Sequence, residues 1–419
     1  MRRIAVIGGA GDMARVAEEK LLAMDNDYHI LLADIDVKRV ERVAESLASS
    51  MVEVTRVDIY DKALLRQVIR GKDLVMNCTG PYYRTGRPVL EACIDEKVNY
   101  IDLGDDDDSA VALLELDKPA AAAGITALIC CGIAPGLVNV LARRLADQMD
   151  EVESIQLAWV TSGSATPPEG TEKAGAAVTE HMVHACMGTC VTVRDGKRVE
   201  IPAFRQGYIL EFPEPLGSFK VFELGHAETA TMPRFIPGVR NVYTMGSLYP
   251  QYLNGAFSGI AKLVEKGKVE MKEAVRFIME LDAGKNPKGA RLNLAVLRGV
   301  LSQLLRGEIS VRQFGRFLSQ ADEDLYGGIL VAVQGSRDGK RVGMQISSCV
   351  KESGEEATPM DESTGTPLAI FASMLLDDLI TRKGVLAPEA CIDPEEFEAR
   401  MEKAIPGLIS TMEYKTEEG

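Results

Sequence analysis

The run Arg3-Ile4-Ala5-Val6-Ile7-Gly8-Gly9-Ala10-Gly11-Asp12-Met13-Ala14 decides the fold. Ile4 to Ile7 is an apolar stretch of strand length, broken by glycines, and helical spacing follows through about Met24. Gly9 to Ala14 fits G-x-G-x-x-G/A at a strand-to-helix turn. Gly9 permits the tight turn, Gly11 lets backbone approach a pyrophosphate, and the small Ala14 lets helix and strand pack closely. The new helix, with Asp12 and Met13 in its first turn, offers N–H groups and a positive dipole end to phosphate. The pattern predicts a dinucleotide turn. Asp34 closes the next strand, 23 residues beyond Gly11. A carboxylate there suits the ribose 2′-OH of NAD and repels a 2′-phosphate, while Arg39 nearby keeps NADP possible.

Outward from this turn, strand and helix alternate. Strands are expected at 3–7, 29–33, 52–57, 73–78, 99–103 and 126–130. Helices are expected at 37–49, 62–69 and 87–96, the last opened by Arg87. Near-continuous apolar strands separated by helices point to βαβ units and a parallel sheet covered on both faces. The fold class is therefore α/β, a doubly wound Rossmann sheet. Beyond about Ala142 the texture changes. Leu137, Val140, Leu141, Leu145 and Met149 make one helical face, 153–160 reads as a strand, and 161–171 as a loop rich in Ser, Gly and Pro. Two hairpins, 191–201 and 329–346, turn at the same hexapeptide, Arg-Asp-Gly-Lys-Arg-Val, whose Asp-Gly is a strong turn signal. Thr366 and Pro367 carry the signature of a helix start, with the helix running through about Arg382. The expected organisation is a Rossmann domain at 1–140 with a returning helix at about 366–383, an inserted α+β substrate and dimerisation domain at 141–360, and a C-terminal segment at 384–419.

The chain has 419 residues, 46% of them hydrophobic and 26% charged, which is ordinary globular composition, and a formal net charge of −15. An acidic balance argues against nucleic acid as a partner. The eight cysteines form no CxxC pair and read as thiols in a reducing, cytoplasmic setting. The N-terminal apolar run is too short for a signal peptide. Residues 119–142 lack charge for 24 positions, but Gly124, Gly132, Pro135 and Gly136 make them helix end, strand, turn and helix rather than a membrane span. His181, His184, Cys186 and Cys190 lack the spacing of a metal site, so no metal is expected.

From the fourth strand onward a family resemblance accumulates. Asn77-Cys78-Thr79-Gly80-Pro81-Tyr82-Tyr83, Tyr100-Ile101-Asp102-Leu103-Gly104-Asp105, Glu115-Leu116-Asp117 and Gly132-Ile133-Ala134-Pro135-Gly136-Leu137 together resemble the saccharopine dehydrogenase family in its broad sense. That group takes in saccharopine reductases, lysine 6-dehydrogenases and carboxynorspermidine synthases. The resemblance implies hydride transfer between a nicotinamide cofactor and the C–N bond of an amino-acid or amine substrate, in a homodimer. It implies that Thr79, Gly80, Pro81 and Tyr82 lie beside the nicotinamide ribose and that Asp58 approaches the adenine. Gly104 and Asp105 would stand between cofactor and substrate, with the loop of Gly132, Ala134 and Pro135 over the nicotinamide. Where saccharopine reductases carry an acidic residue in that loop, this chain has Ala134.

The residues suggest their own chemistry. Oxidising an amine requires a neutral nitrogen, and an alkylammonium has a pKa of about 10.4 in water, so a base is needed. Asp105 to Asp108 follow the fifth strand, at the edge where open α/β sheets bind ligands. Asp105 is the candidate for binding the ammonium or accepting its proton, with Tyr82 and Asp117 as alternatives. Arg84 and Arg87 are candidates for a substrate carboxylate, as are the helix starts at Gly136–Leu137 and Pro367, with Thr366. His226 is a candidate pocket residue. The leading expectation is lysine 6-dehydrogenase-like oxidative deamination. The alternatives are reductive condensation of an amine with a carbonyl, and a dinucleotide-binding regulator without turnover.

Overall fold

The computed structural model describes residues 1–24, 27–162, 176–282, 285, 287–319, 324–354 and 357–418. Most of the Ser/Gly/Pro-rich loop expected at 161–171 lies outside them. The chain divides into two compact units. The first is residues 1–151, 230–238 and 361–411; the second is 152–229, 239–360 and 412–419. The first boundary thus falls later than residue 140. Residues 384–411 return to the first unit instead of forming a separate C-terminal segment.

The first unit opens with β1 (Arg2–Ile7), α1 (Asp12–Ala23), β2 (Tyr28–Asp34), α2 (Val37–Leu47), β3 (Val52–Arg56), α3 (Lys62–Ile69), β4 (Leu74–Asn77), α4 (Tyr82–Glu96), β5 (Asn99–Asp102), α5 (Asp107–Leu114), α6 (Asp117–Ala123), β6 (Thr126–Leu128) and α7 (Leu137–Ala146). A short strand, Gly384–Leu386, joins β6, giving the order 384–386, β6, β5, β4, β1, β2, β3. Every pairing is parallel. Strand order reverses between β1 and β4, where open sheets of this kind open a ligand crevice at their carboxyl ends. Ile4, Val6, Leu74 and Met76 are wholly buried because helices cover both faces. Among the described residues no helix is long and apolar enough to cross a membrane; 119–142 is the end of α6, β6, a loop and the start of α7.

Two helix starts differ from expectation. The fourth helix begins at Tyr82 and contains Pro88, so Arg87 sits inside it. The returning helix spans Met360–Leu376, so Thr366 and Pro367 are interior and no helix N-terminus exists there. Proline tolerates the first turn because its missing N–H is unneeded there, and that preference misplaced the start. Gly365 explains the packing. A Cβ there would lie 2.5 Å from the Met13 carbonyl oxygen, so this helix meets the first turn of α1 backbone to side-chain-free backbone. Arg15 to Asp361 and Lys20 to Glu362 pair across the same crossing, at 3.5 and 2.9 Å.

The second unit is built on a mixed nine-stranded sheet, counted over the described residues. Strands 241–248 and 151–161 pair in parallel, whereas 207–211 with 218–223, 218–223 with 241–248, 189–194 with 197–202 and with 241–248, 326–337 with 340–351, and 340–351 with 413–418 pair antiparallel. Both predicted hairpins form, Thr189–Arg194 with Lys197–Pro202 and Tyr326–Arg337 with Lys340–Lys351. Their turns carry the positive φ pair a two-residue hairpin requires: 50° and 75° at Asp195 and Gly196, 53° and 74° at Asp338 and Gly339. Helices Leu253–Glu265 and Ala290–Leu305 cross closely, since a Cβ on Gly299 would overlap the Gly255 carbonyl.

Candidate active site

The crevice residues come together because the parallel sheet delivers the carboxyl ends of β1, β2, β4, β5 and β6 to one edge. Gly8, which the motif reading passed over, makes the first contact. Its φ is +82°, and a Cβ would come within 2.8 Å of the Cys78 carbonyl oxygen, so only glycine lets β1 turn against the end of β4. Gly8 and Gly9 donate their N–H groups to the Ala33 carbonyl at 2.8 and 3.3 Å. Asp34 is held by backbone, accepting from Ala10 N at 3.3 Å and Asp36 N at 2.9 Å. Gly11 differs from its neighbours. Its φ is −77°, and the nearest atom to an added Cβ is 3.3 Å away. Intramolecular crowding therefore makes only a weak demand for glycine at 11. It is the N-cap of α1 and provides no side-chain cap for the first-turn N–H groups. That combination fits a cradle for a pyrophosphate. Arg39 lies 3.6 Å from Asp12, and Asp58 accepts from Tyr60 N at 3.0 Å in the turn after β3.

Beneath the turn sits an unexpected carboxyl. Glu18 occupies the buried stripe of α1 with Ala14, Ala17 and Leu21, is wholly buried, and has no hydrogen-bond partner on either oxygen. Burial first, then Glu19 and Asp34 against an opposing Arg15, push its pKa well above the carboxylate range, which favours the neutral carboxyl.

At β4 and β5 a continuous hydrogen-bond chain fixes the edge. Thr79 N donates to Asn77 Oδ1 at 3.2 Å, Asn77 Nδ2 to Tyr100 OH at 3.1 Å, and Tyr100 OH to Asp102 Oδ2 at 2.7 Å. Asp102 Oδ1 accepts from Gly104 N at 3.0 Å and Cys130 N at 2.8 Å. Burial raises Asp102 to about 6, against the two backbone donors and Tyr100, which lower it. Asp102 was quoted in the family motif yet not singled out; its signal was a lone carboxylate inside an otherwise apolar strand. Asp105, half-buried, lies three residues after Asp102. Tyr82 opens α4, and burial, reinforced by Cys78, Asp102, Asp105 and Asp106, pushes its phenol well above 10. That direction favours the neutral phenol over the tyrosinate.

The loop after β6 closes on itself. Gly132 N donates to the Pro135 carbonyl at 2.8 Å, and Gly136, at φ +131°, has no room for a Cβ beside Gly132. Asn139 accepts from Gly136 N at 2.9 Å and donates to Glu389 at 2.8 Å. Thr364 lies against Gly132, where an added Cβ would meet its Cγ2 at 3.1 Å. Thr366, in the second turn of the returning helix, is wholly buried, and its hydroxyl has no partner among the described residues.

Two sequence candidates leave the crevice. Asp117 accepts from Val385 N at 3.0 Å and from Arg234 at 2.7 Å, at the amino ends of β6 and strand 384–386, on the opposite edge of the sheet. Arg87 is held on the surface by Glu91 and Glu115 at 2.9 and 3.0 Å. Arg84 stacks over the Tyr83 ring at 4.9 Å. In the second unit, His226 Nδ1 bonds Glu228 Oε2 at 2.6 Å, with both side chains buried. The rings of His181 and Trp159 lie 5.9 and 6.2 Å from it. Glu228 was not anticipated, although its spacing of two from His226 puts it in reach.

Comparison with known proteins divides the chain near residue 130, earlier than the structural boundary after residue 151. Residues 4–128 match the model of the saccharopine dehydrogenase NADP binding domain, and residues 132–405 that of the saccharopine dehydrogenase C-terminal domain. Carboxynorspermidine synthase of Vibrio cholerae is 27% identical over 269 residues, 59% of this chain and 63% of that protein. Carboxyaminopropylagmatine dehydrogenase of Synechocystis is 26% identical over 173 residues, 39% and 43% of the two chains. The chain thus spans less than two thirds of the length of these curated relatives. Apo saccharopine dehydrogenase (L-Glu forming) from Saccharomyces cerevisiae shares the fold over the whole of both chains, with a TM-score of 0.63 at 15% identity.

Proposed function

This chain belongs to the saccharopine dehydrogenase family, and from that premise we propose that it is an NAD(P)-dependent oxidoreductase acting on the C–N bond of an amino-acid or amine substrate. The observation that carries the reading is the crevice itself: an uncapped helix start at Gly11, Asp34 anchored beside it, and Asp105 at the same edge. The bound nicotinamide supplies or takes the hydride. The chain's own residues supply the rest. Asp105 holds the cationic nitrogen and accepts its proton. Tyr82, favoured in its neutral form by its surroundings, donates to the hydroxyl oxygen that leaves the reacting carbon as water. The Asn77–Tyr100–Asp102 chain keeps the strand ends, and so Asp105, in place.

Within that class we favour reductive condensation of an amine with a carbonyl compound, supported by relatives whose names describe carboxylated polyamines. The test is kinetic. The condensing reading expects NADH or NADPH oxidation only when amine and carbonyl are both present. A lysine 6-dehydrogenase-like enzyme would instead reduce NAD with one free amine. Cofactor binding in a thermal-shift assay with no turnover under either condition would leave a regulator. Asp34 supports NAD over NADP, and a homodimer is the assembly the family reading favours.

A further inference from the structure

The second unit carries a cleft that the reaction above does not use. Its walls include the stacked rings of Phe204 and Phe222, 4.6 Å apart, and the side chains of Ser258, Lys262, Ser302 and Arg306. Its floor is fixed. Gln303 accepts from Gly255 N at 2.9 Å and donates to the Gln251 carbonyl at 3.2 Å, where the two helices cross.

The charges here do not balance. Arg306 donates to Glu308 at 2.8 Å and to the Ser302 hydroxyl at 2.6 Å, and Lys220 donates to the other Glu308 oxygen at 3.1 Å. Glu308 is therefore taken by two cations. Lys262, half-buried, has no described carboxylate within ion-pair distance; Arg205, Arg306 and Lys266 lie within electrostatic range, and Glu265 alone opposes them. Five cationic side chains thus stand against two carboxylates, in a chain whose formal net charge is −15. Burial, then these like charges, push the Lys262 ammonium below its ordinary range. Holding like charges together at the rim of a cleft costs stability unless an anion enters.

We propose that this cleft is a binding site for a phosphate dianion, held by Lys262 and Arg306 with hydroxyl donors from Ser258 and Ser302. A dianion answers the surplus better than a carboxylate does, and the hydroxyls supply donors a tetrahedral oxyanion accepts. The source is either free phosphate or the phosphate of a monoester, whose organic part would lie on the Phe204–Phe222 wall.

The test uses the full chain, with melting temperature read against inorganic phosphate, phenyl phosphate and sodium chloride at matched ionic strength. Phosphate should raise the melting temperature above chloride. Lys262→Gln should weaken the apparent phosphate affinity at least tenfold, and Arg205→Gln, at an exposed position, should weaken it several-fold. Lys272→Gln, on another exposed helix face, should leave it unchanged. Phosphate bound at the glycine turn of the first unit is common to all variants and cancels. Tighter binding of phenyl phosphate assigns the site to an ester, and equal binding assigns it to the free ion. Equal stabilisation by chloride, or a Lys262→Gln chain that binds phosphate as the wild type does, overturns the proposal.

Discussion

The two edges of the seven-stranded sheet carry the same residue type and put it to different uses. At the carboxyl edge, Asp34 stands beside a helix start with no side-chain cap and a glycine that crowding only weakly requires, and Asp105 follows the end of β5. At the amino edge, twelve residues along the chain from Asp105, Asp117 has each carboxylate oxygen engaged by the protein, Oδ1 by Val385 N and Oδ2 by Arg234. In a parallel sheet all strands end on one side, so reactive groups gather there and the other side only needs closing. Position on the sheet, not acidity, decides whether a carboxylate stands on the ligand side, as Asp34, Asp102 and Asp105 do, or closes the far side, as Asp117 does.

The sharpest way to break that contrast is to neutralise both. Asp105→Asn should lower kcat about 100-fold, the usual scale for loss of a proton-transfer group. Asp117→Asn should leave kcat within about twofold and lower stability by roughly 1 kcal/mol, a partly exposed pair contributing no more. Steady-state rates and urea unfolding of the two variants decide it. Equal effects on kcat would mean the edges do not differ.

Asp102 tests the contrast within the carboxyl edge, between a group that reacts and one that positions. Its pKa is about 6 in the fold against an ordinary 3.8. Below about pH 4 both states hold the proton and the group has no influence. Between pH 4 and 6 the unfolded chain ionises first, so rising pH destabilises the fold, by about 3 kcal/mol once above 6 at 1.36 kcal/mol per pH unit. Asp102→Asn should remove that component. The wild-type-minus-variant stability should fall from pH 4 to 6 and then level, measured by denaturant unfolding across the range. A flat difference would mean that Asp102 is already ionised in the fold at pH 4.

Much of the first unit was legible because its signals are local. Glycines at a strand end, a carboxylate on the next strand and apolar runs at helical spacing each report the backbone around them. Both hairpin turns were legible for the same reason: Asp-Gly states its own φ angles. The misplaced start of the returning helix comes from reading Pro367 as a beginning, when Pro367 lies inside the helix that starts at Met360; α4 likewise starts earlier than Arg87, at Tyr82, and holds Pro88 inside it. Glu18, Asp102 and Glu228 were missed because their meaning lies in burial, which depends on partners far away in the chain. The basic cleft has no motif at all; Lys220, Lys262 and Arg306 meet only through tertiary packing.

A milder effect is expected at Asp34, whose side chain orders the turn as well as facing the crevice. Asp34→Ala should raise KM for NAD about tenfold with kcat little changed, the pattern of a lost uniform binding interaction. Because Ala10 N and Asp36 N lose their acceptor, the cofactor-free melting temperature should also drop slightly. Unchanged KM with a lowered melting temperature would make Asp34 a brace like Asp117.

Thr366 should give the smallest effect, and it separates a group left unpaired for a ligand from one left unpaired by packing. Its hydroxyl is wholly buried without a partner, and leaving a buried hydroxyl unsatisfied costs roughly 1–3 kcal/mol. Thr366→Val keeps the shape and removes the polar group. The cofactor-free chain should then gain up to about 1 kcal/mol of stability by urea unfolding. If the hydroxyl is held in reserve for substrate, the same variant should raise substrate KM a few-fold. A gain in stability with unchanged KM places Thr366 in the packing of the returning helix against α1, and removes it from the crevice.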